Sequence, residues 1–171
     1  TLSVQRHVYV PTAARGNYIR FLDVVTNTGA AAATANIRIH GNLGSDSSTV
    51  TWGSSSGDSA ASTADSWFGT DDADGSGDPS LVHLLQGMAP VTRASSVSIS
   101  RDSPAWSFST SIPPGGTASV LTFGIVEVNR AAAQAEATRI LTLPDDVLVG
   151  LDMFTADIIN FTTTPEGAPV V

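Results

Sequence analysis

The densest run of ligand-type side chains in this chain is Asp71-Asp72-Ala73-Asp74-Gly75-Ser76-Gly77-Asp78. Calcium is bound by about six to eight hard oxygen ligands held in a tight turn. Counted from Asp72, acidic or hydroxyl oxygens fall at the first, third, fifth and seventh positions, and Gly77 falls at the sixth. That is the opening of a calcium-loop pattern. The twelfth position is His83 instead of a bidentate Glu, and no helices are expected on either side, so the segment is not an EF-hand. The expectation is a looser calcium loop with Asp71, Asp72, Asp74, Ser76 and Asp78 as ligands. Asn42 and Asp46 join it if the two loops meet. The competing reading is a solvated acidic loop that keeps the protein in solution.

Other chemistry is thinner. The sequence has thirteen Asp and three Glu, but only Asp23 and Glu127 are embedded in apolar sequence. Glycosidases need two placed acids, one with a raised pKa. A strand acid more often faces solvent or pairs with a base, here Arg20 or Arg38. His7, His40 and His83 are scattered singly, without metal-ligand spacing. No G-x-S-x-G elbow, Walker motif or dinucleotide fingerprint occurs. Gly53-Ser54-Ser55-Ser56-Gly57 has the glycines of an elbow but sits in polar sequence. Of the aromatics, Trp106 alternates with Phe108 and reads as core. Trp67, alone among acids, is the residue expected to bind, for example by stacking on a sugar.

Composition narrows the class further. There is no Cys, which excludes disulfides and thiolate chemistry, and all eight basic residues are Arg. The net charge of −8 argues against nucleic acid and anionic membranes as partners. Residues 40–91 contain seven Asp and no Arg, whereas the rest of the chain has nine acids against eight Arg. One region therefore carries nearly all the excess charge. No run approaches the roughly 20 apolar residues of a membrane span. A chain that opens on Thr1 is expected to be a processed protein or an excised domain. Its Ser, Thr and Gly content with few charges suggests an exported setting, extracellular or at the cell surface.

The elements that must position these residues are mostly strands. Alternation or β-branched content predicts strands over 3–10, 17–28, 34–40, 49–52, 97–100, 106–112 and 117–128, with 81–85 a strand or helical turn. The 117–128 strand is apolar on both parities, as suits a centre buried on both faces. Pro113-Pro114-Gly115-Gly116 is a turn. Asn129 is placed to cap a helix ending near Leu141, with Ala133, Ala137, Ile140 and Leu141 on one face, and Pro144 stops it. Asp152 is placed to cap a shorter helix bearing Phe154, Ile158 and Phe161.

The segments RFLDVVTNTG at 20–29, ANIRIHGNLGSD at 35–46 and PPGGTASVLTF at 113–123 resemble bacterial extracellular, immunoglobulin-like sandwich modules. The resemblance implies an exported surface or adhesive role and carries no catalytic residues. The resulting expectation is a mainly β chain: an antiparallel β-sandwich over 1–161, with a long acidic loop insertion at 41–92, one or two short C-terminal helices, and a linker or extended tail at 162–171. Its function is read as binding or assembly without catalysis. The expected partners are other protein domains, copies of itself or a glycan. Two rivals remain open. One is an accessory or catalytic domain of a carbohydrate-active enzyme. The other is a filament or shell subunit assembling through its tail strand.

Overall fold

A computed structural model describes residues 1–45, 48–151 and 157–162. The chain is mainly β, with two antiparallel sheets and two short helices. The strands are β1 (Leu2–Tyr9), β2 (Tyr18–Asn27), β3 (Ala33–His40), β4 (Thr49–Ser54), β5 (Trp67–Asp72), β6 (Ser80–Leu84), β7 (Ser96–Ser100), β8 (Ser103–Ile112) and β9 (Thr117–Glu127). The helices are α1 (Arg130–Leu141) and α2 (Asp145–Leu148). A six-stranded sheet runs β1-β2-β9-β6-β5-β4, and a three-stranded sheet runs β3-β8-β7.

The layers follow from the two-faced strands. On β9, Leu121, Phe123 and Ile125 pack with Ala133, Ala137 and Ile140 of α1. The alternate residue Val120 packs with Trp106 and Phe108 of the smaller sheet. The larger sheet is thus a central layer, with helices on one face and the three-stranded sheet on the other. Asn129 caps α1 as expected, its side chain accepting from the Ala132 amide at 2.9 Å. Arg20 closes the far end of the helical layer. It is 4% exposed, lies over the Tyr9 ring at 4.6 Å, and donates to the carbonyls of Val147 and Val149 at 2.6 and 2.9 Å. Those carbonyls, at the end of α2, have no partner within the helix, and a cation is their natural complement.

The region 41–92 is not a loop insertion. It contains β4, β5 and β6, and both β5 and β6 are interior strands of the larger sheet. Trp67 and Phe68 do not interrupt a loop; they open β5, one toward the helices and one toward the smaller sheet. Gly69 follows because the Trp52 indole lies on it: a Cβ there would stand 2.2 Å from the ring. The true loop is shorter and closes on Asp65, which is fully buried. Its carboxylate accepts from the Ser56 and Ser62 amides at 3.0 and 2.9 Å and from the Ser55 and Ser62 hydroxyls at 3.2 and 2.7 Å.

The end of the described chain fills a gap in the sheet. β6 leaves β9 after Leu84, and residues 157–161 take its place, with Ile158 bridging Ser119 in parallel. Asn160 is fully buried; its oxygen accepts from the Leu121 amide at 2.9 Å, and its nitrogen donates to the carbonyls of Leu85 and Leu121 at 2.5 and 2.6 Å. The expected helix at 152 has its cap, Asp152, and Phe154 outside the described residues. Ile158 and Phe161 instead lie in this sheet-filling segment. Of the expected tail, only Thr162 is described, donating to the Ala89 carbonyl at 2.6 Å.

Candidate functional site

The acidic run divides between the end of β5 and the turn into β6. Asp71 points to the helical side, where Arg130, the first residue of α1, meets it at 3.0 Å. The Ser80 hydroxyl donates to the same Asp71 oxygen, and the Asp72 amide donates to the other at 2.8 Å. Burial alone would push this acid up, but the hydrogen bonds from Ser80 and Arg130 hold it below the ordinary carboxylate value. Arg130 also donates to the Asp72 carbonyl at 2.6 Å. Its guanidinium lies against Gly75, whose φ of +65° and lack of a Cβ admit it. Asp71 is therefore an internal tie between sheet and helix, already supplied with donors.

The other expected ligands lack that tie. Asp74 is exposed and accepts from the Ser76 amide at 3.1 Å, which shapes the turn; Ser76 is exposed as well. Asp72 and Asp78 line a cleft of about 320 Å³ together with the tied Asp71 and with Leu43, Gly44, Ser45, Ser48, Thr49, Thr70, Pro79 and Leu81. Neither carboxylate has a hydrogen-bond or ion-pair partner among the described residues. Ser45 and Thr49 share a hydroxyl hydrogen bond, and Asn42 accepts from the Gly44 amide at 2.9 Å. Asp46 lies outside the described residues. Among the described residues, no three His, Asp or Glu side chains assemble as a metal set.

His83 lies behind the cleft floor, 3.0 Å from the Thr70 hydroxyl, with its ring 4.8 Å from Phe68 and 5.9 Å from Trp106. Burial pushes its pKa down to about 4, so it is neutral at ordinary pH. Trp67 is 5% exposed and packs at 5.8 Å on Trp52 in the helix-side core, so it offers no face to a ligand. Asp23 pairs with neither Arg20 nor Arg38. The β1–β2 register sets Arg6 opposite it, and two hydrogen bonds of 2.7 and 2.8 Å join them. Glu127 accepts from Asn17 at 3.1 Å. Sequence reasoning missed Arg130, the group that neutralises Asp71. The one available signal was that residues 40–91 hold no Arg, so any partner cation had to come from elsewhere.

No protein-family model matches the chain, and neither does any curated protein. Among solved structures, 98% of the chain aligns with 55% of a "putative aldose 1-epimerase" from Klebsiella pneumoniae subsp. pneumoniae, at a TM-score of 0.42 and 12% identity. The chain thus spans about half the length of that protein. The expectation of a domain without catalysis is withdrawn, because this neighbour is described as an enzyme. A likeness at this level transfers no residue role and no activity.

Proposed function

We propose that this chain is a sugar-binding β-sandwich domain of a carbohydrate-active protein, with the Asp72–Asp78 cleft as its site. One observation carries the reading. Two carboxylates without partners among the described residues stand in one cleft beside the hydroxyls of Ser45, Ser48 and Thr49, with Leu43, Pro79 and Leu81 as apolar walls. A neutral sugar matches that set. Its hydroxyls donate to carboxylates and exchange hydrogen bonds with serine and threonine, and its C–H faces rest on apolar side chains. The cleft volume of about 320 Å³ suits one or two rings. Because Arg130 neutralises only Asp71, the cleft stays negative and disfavours phosphorylated or acidic sugars. An extracellular or cell-surface setting belongs to the same proposal.

The test is an NMR titration with neutral monosaccharides and short oligosaccharides beside their uronic acid counterparts. Neutral sugars are expected to shift the amides of Gly44, Asp72 and Leu81. Asp72→Asn with Asp78→Asn is expected to weaken binding at least about tenfold, the loss of one charged hydrogen bond or more. The same spectra report any conversion of the sugar as new anomeric signals. Unmoved cleft amides at saturating sugar, or equal binding of the uronic acids, would remove the proposal.

A further inference from the structure

Among the described residues β1 is an edge strand of the larger sheet, and the apolar pattern along and just past it reads alike in both directions about Arg6. Val4 and Val8 stand two residues to either side of Arg6, and Leu2 and Val10 stand four residues away. The two-residue period of the strand puts Leu2, Val4, Arg6 and Val8 on one face, and Val10 follows just past the strand's last residue, Tyr9. That face turns toward the smaller sheet but extends past it: Val4 is 66% exposed and Val8 54%. Natural edges are usually blunted by Lys, Pro, bulges or inward charges. β1 has none of the first three, pairing with β2 without a register shift along its whole length. Its one charge, Arg6, is neutralised by Asp23.

We propose that β1 pairs with β1 of a second copy, antiparallel about a two-fold axis at Arg6, so that the two larger sheets become one. In that register Val4 of each copy faces Val8 of the other, and Leu2 faces Val10. A two-fold contact requires a surface complementary to itself, which the mirrored pattern supplies. Each apolar cross-strand pair adds about 0.2–1 kcal/mol to the backbone ladder. Two Arg6 side chains meeting at the axis would repel on their own. Asp23 supplies the charge complementarity, because the row Asp23–Arg6–Arg6–Asp23 is neutral. The contact lies on the opposite edge of the sheet from the cleft strand β4, so it stands apart from the sugar reading.

Sedimentation velocity of the full chain, from low micromolar to several hundred micromolar, tests the pairing. A monomer–dimer equilibrium is expected. Val4→Lys with Val8→Lys is expected to raise its dissociation constant at least about tenfold while leaving the circular-dichroism spectrum unchanged. The register has its own test, since the chain has no native cysteine. Under mild oxidation, Val4→Cys mixed with Val8→Cys forms a disulfide-linked dimer, because opposed Cβ atoms about 4.5–5.5 Å apart come within disulfide reach. Neither variant alone does so, because neither position faces its own copy. A monomer across the whole range, a dimer indifferent to the lysines, or cross-linking of each variant by itself as readily as in the mixture overturns the proposal.

Discussion

The two flanks of the six-stranded sheet invert the usual division between inside and outside. On the β4–β5–β6 flank, where nearly all the net charge resides, Asp65, Asp71, Thr70 and His83 are buried and supplied with hydrogen bonds. On the β1 flank, where charge nearly balances, Val4, Val8 and Val10 are in solvent. The smaller sheet and the helices account for the difference. α1 lies over β5, β6 and β9, and the three-stranded sheet is too narrow to cover β1. Acidic composition therefore does not by itself put every carboxylate in solvent, since Asp65 and Asp71 are buried while Asp58, Asp74 and Asp78 are exposed, and a run of valines is not by itself buried. What matters is which face has a lid.

Stability should depend on pH through the acidic flank. His83 has a folded pKa of about 4 against an ordinary 6.5. Between those values the unfolded chain takes up a proton that the fold refuses. The contribution of His83 is therefore complete above about pH 6.5 and is lost as the pH falls toward 4, a loss on the order of 3 kcal/mol. Urea midpoints across that window should fall for the wild type and flatten in His83→Gln. A wild type with no slope there would place His83 in contact with water. The depressed acids Asp65 and Asp71 act in a lower window: their contribution persists above the ordinary carboxylate range and drains as the pH drops through their folded values.

The next effect is at Asp65. Asp65→Ala removes the acceptor for two amides and two hydroxyls at once and should cost about 2 kcal/mol, together with protection of the loop amides of Ser56 and Ser62 in hydrogen exchange. Loss of stability with those amides still protected would show that the loop is ordered by something else. The smallest effect sharpens the contrast from the other flank. Val4→Lys, measured where the chain is monomeric, should change stability by no more than about 0.5 kcal/mol, because the side chain is already in water. A large loss would mean that the valine face is covered in the monomer.

Much of the fold was legible from local pattern. The strands at 17–28, 34–40, 106–112 and 117–128 correspond to β2, β3, β8 and β9, and the Asn129 cap fixes the start of α1. Within 41–92 the expected strand at 49–52 and the strand or helical turn at 81–85 correspond to β4 and β6, whereas β5 was taken for loop because Trp67 and Phe68 are followed by Gly, Thr and two Asp. The Gly-Thr-Asp-Asp end of β5 holds its place through pairing with β4 and β6 and through contact with α1 more than through intrinsic β preference. The candidate site was half legible. The acidic run was visible, but not that, of the three acids lining the cleft, Asp71 is tied to Arg130 while Asp72 and Asp78 have no such tie. That division depends on the pleat, which sends neighbouring residues of β5 to opposite faces.

The sequence by itself determined the local periods, the two-faced centre of β9, the helix cap, the absence of thiol chemistry and the position of the charge. Tertiary structure alone decided which arginine meets Asp71, that Asn160 completes the sheet beside β9, that His83 is dry and that the β1 valines are not. Alternation fixes which residues share a face. What covers that face depends on the order and width of the sheets, set by contacts between residues far apart in the chain.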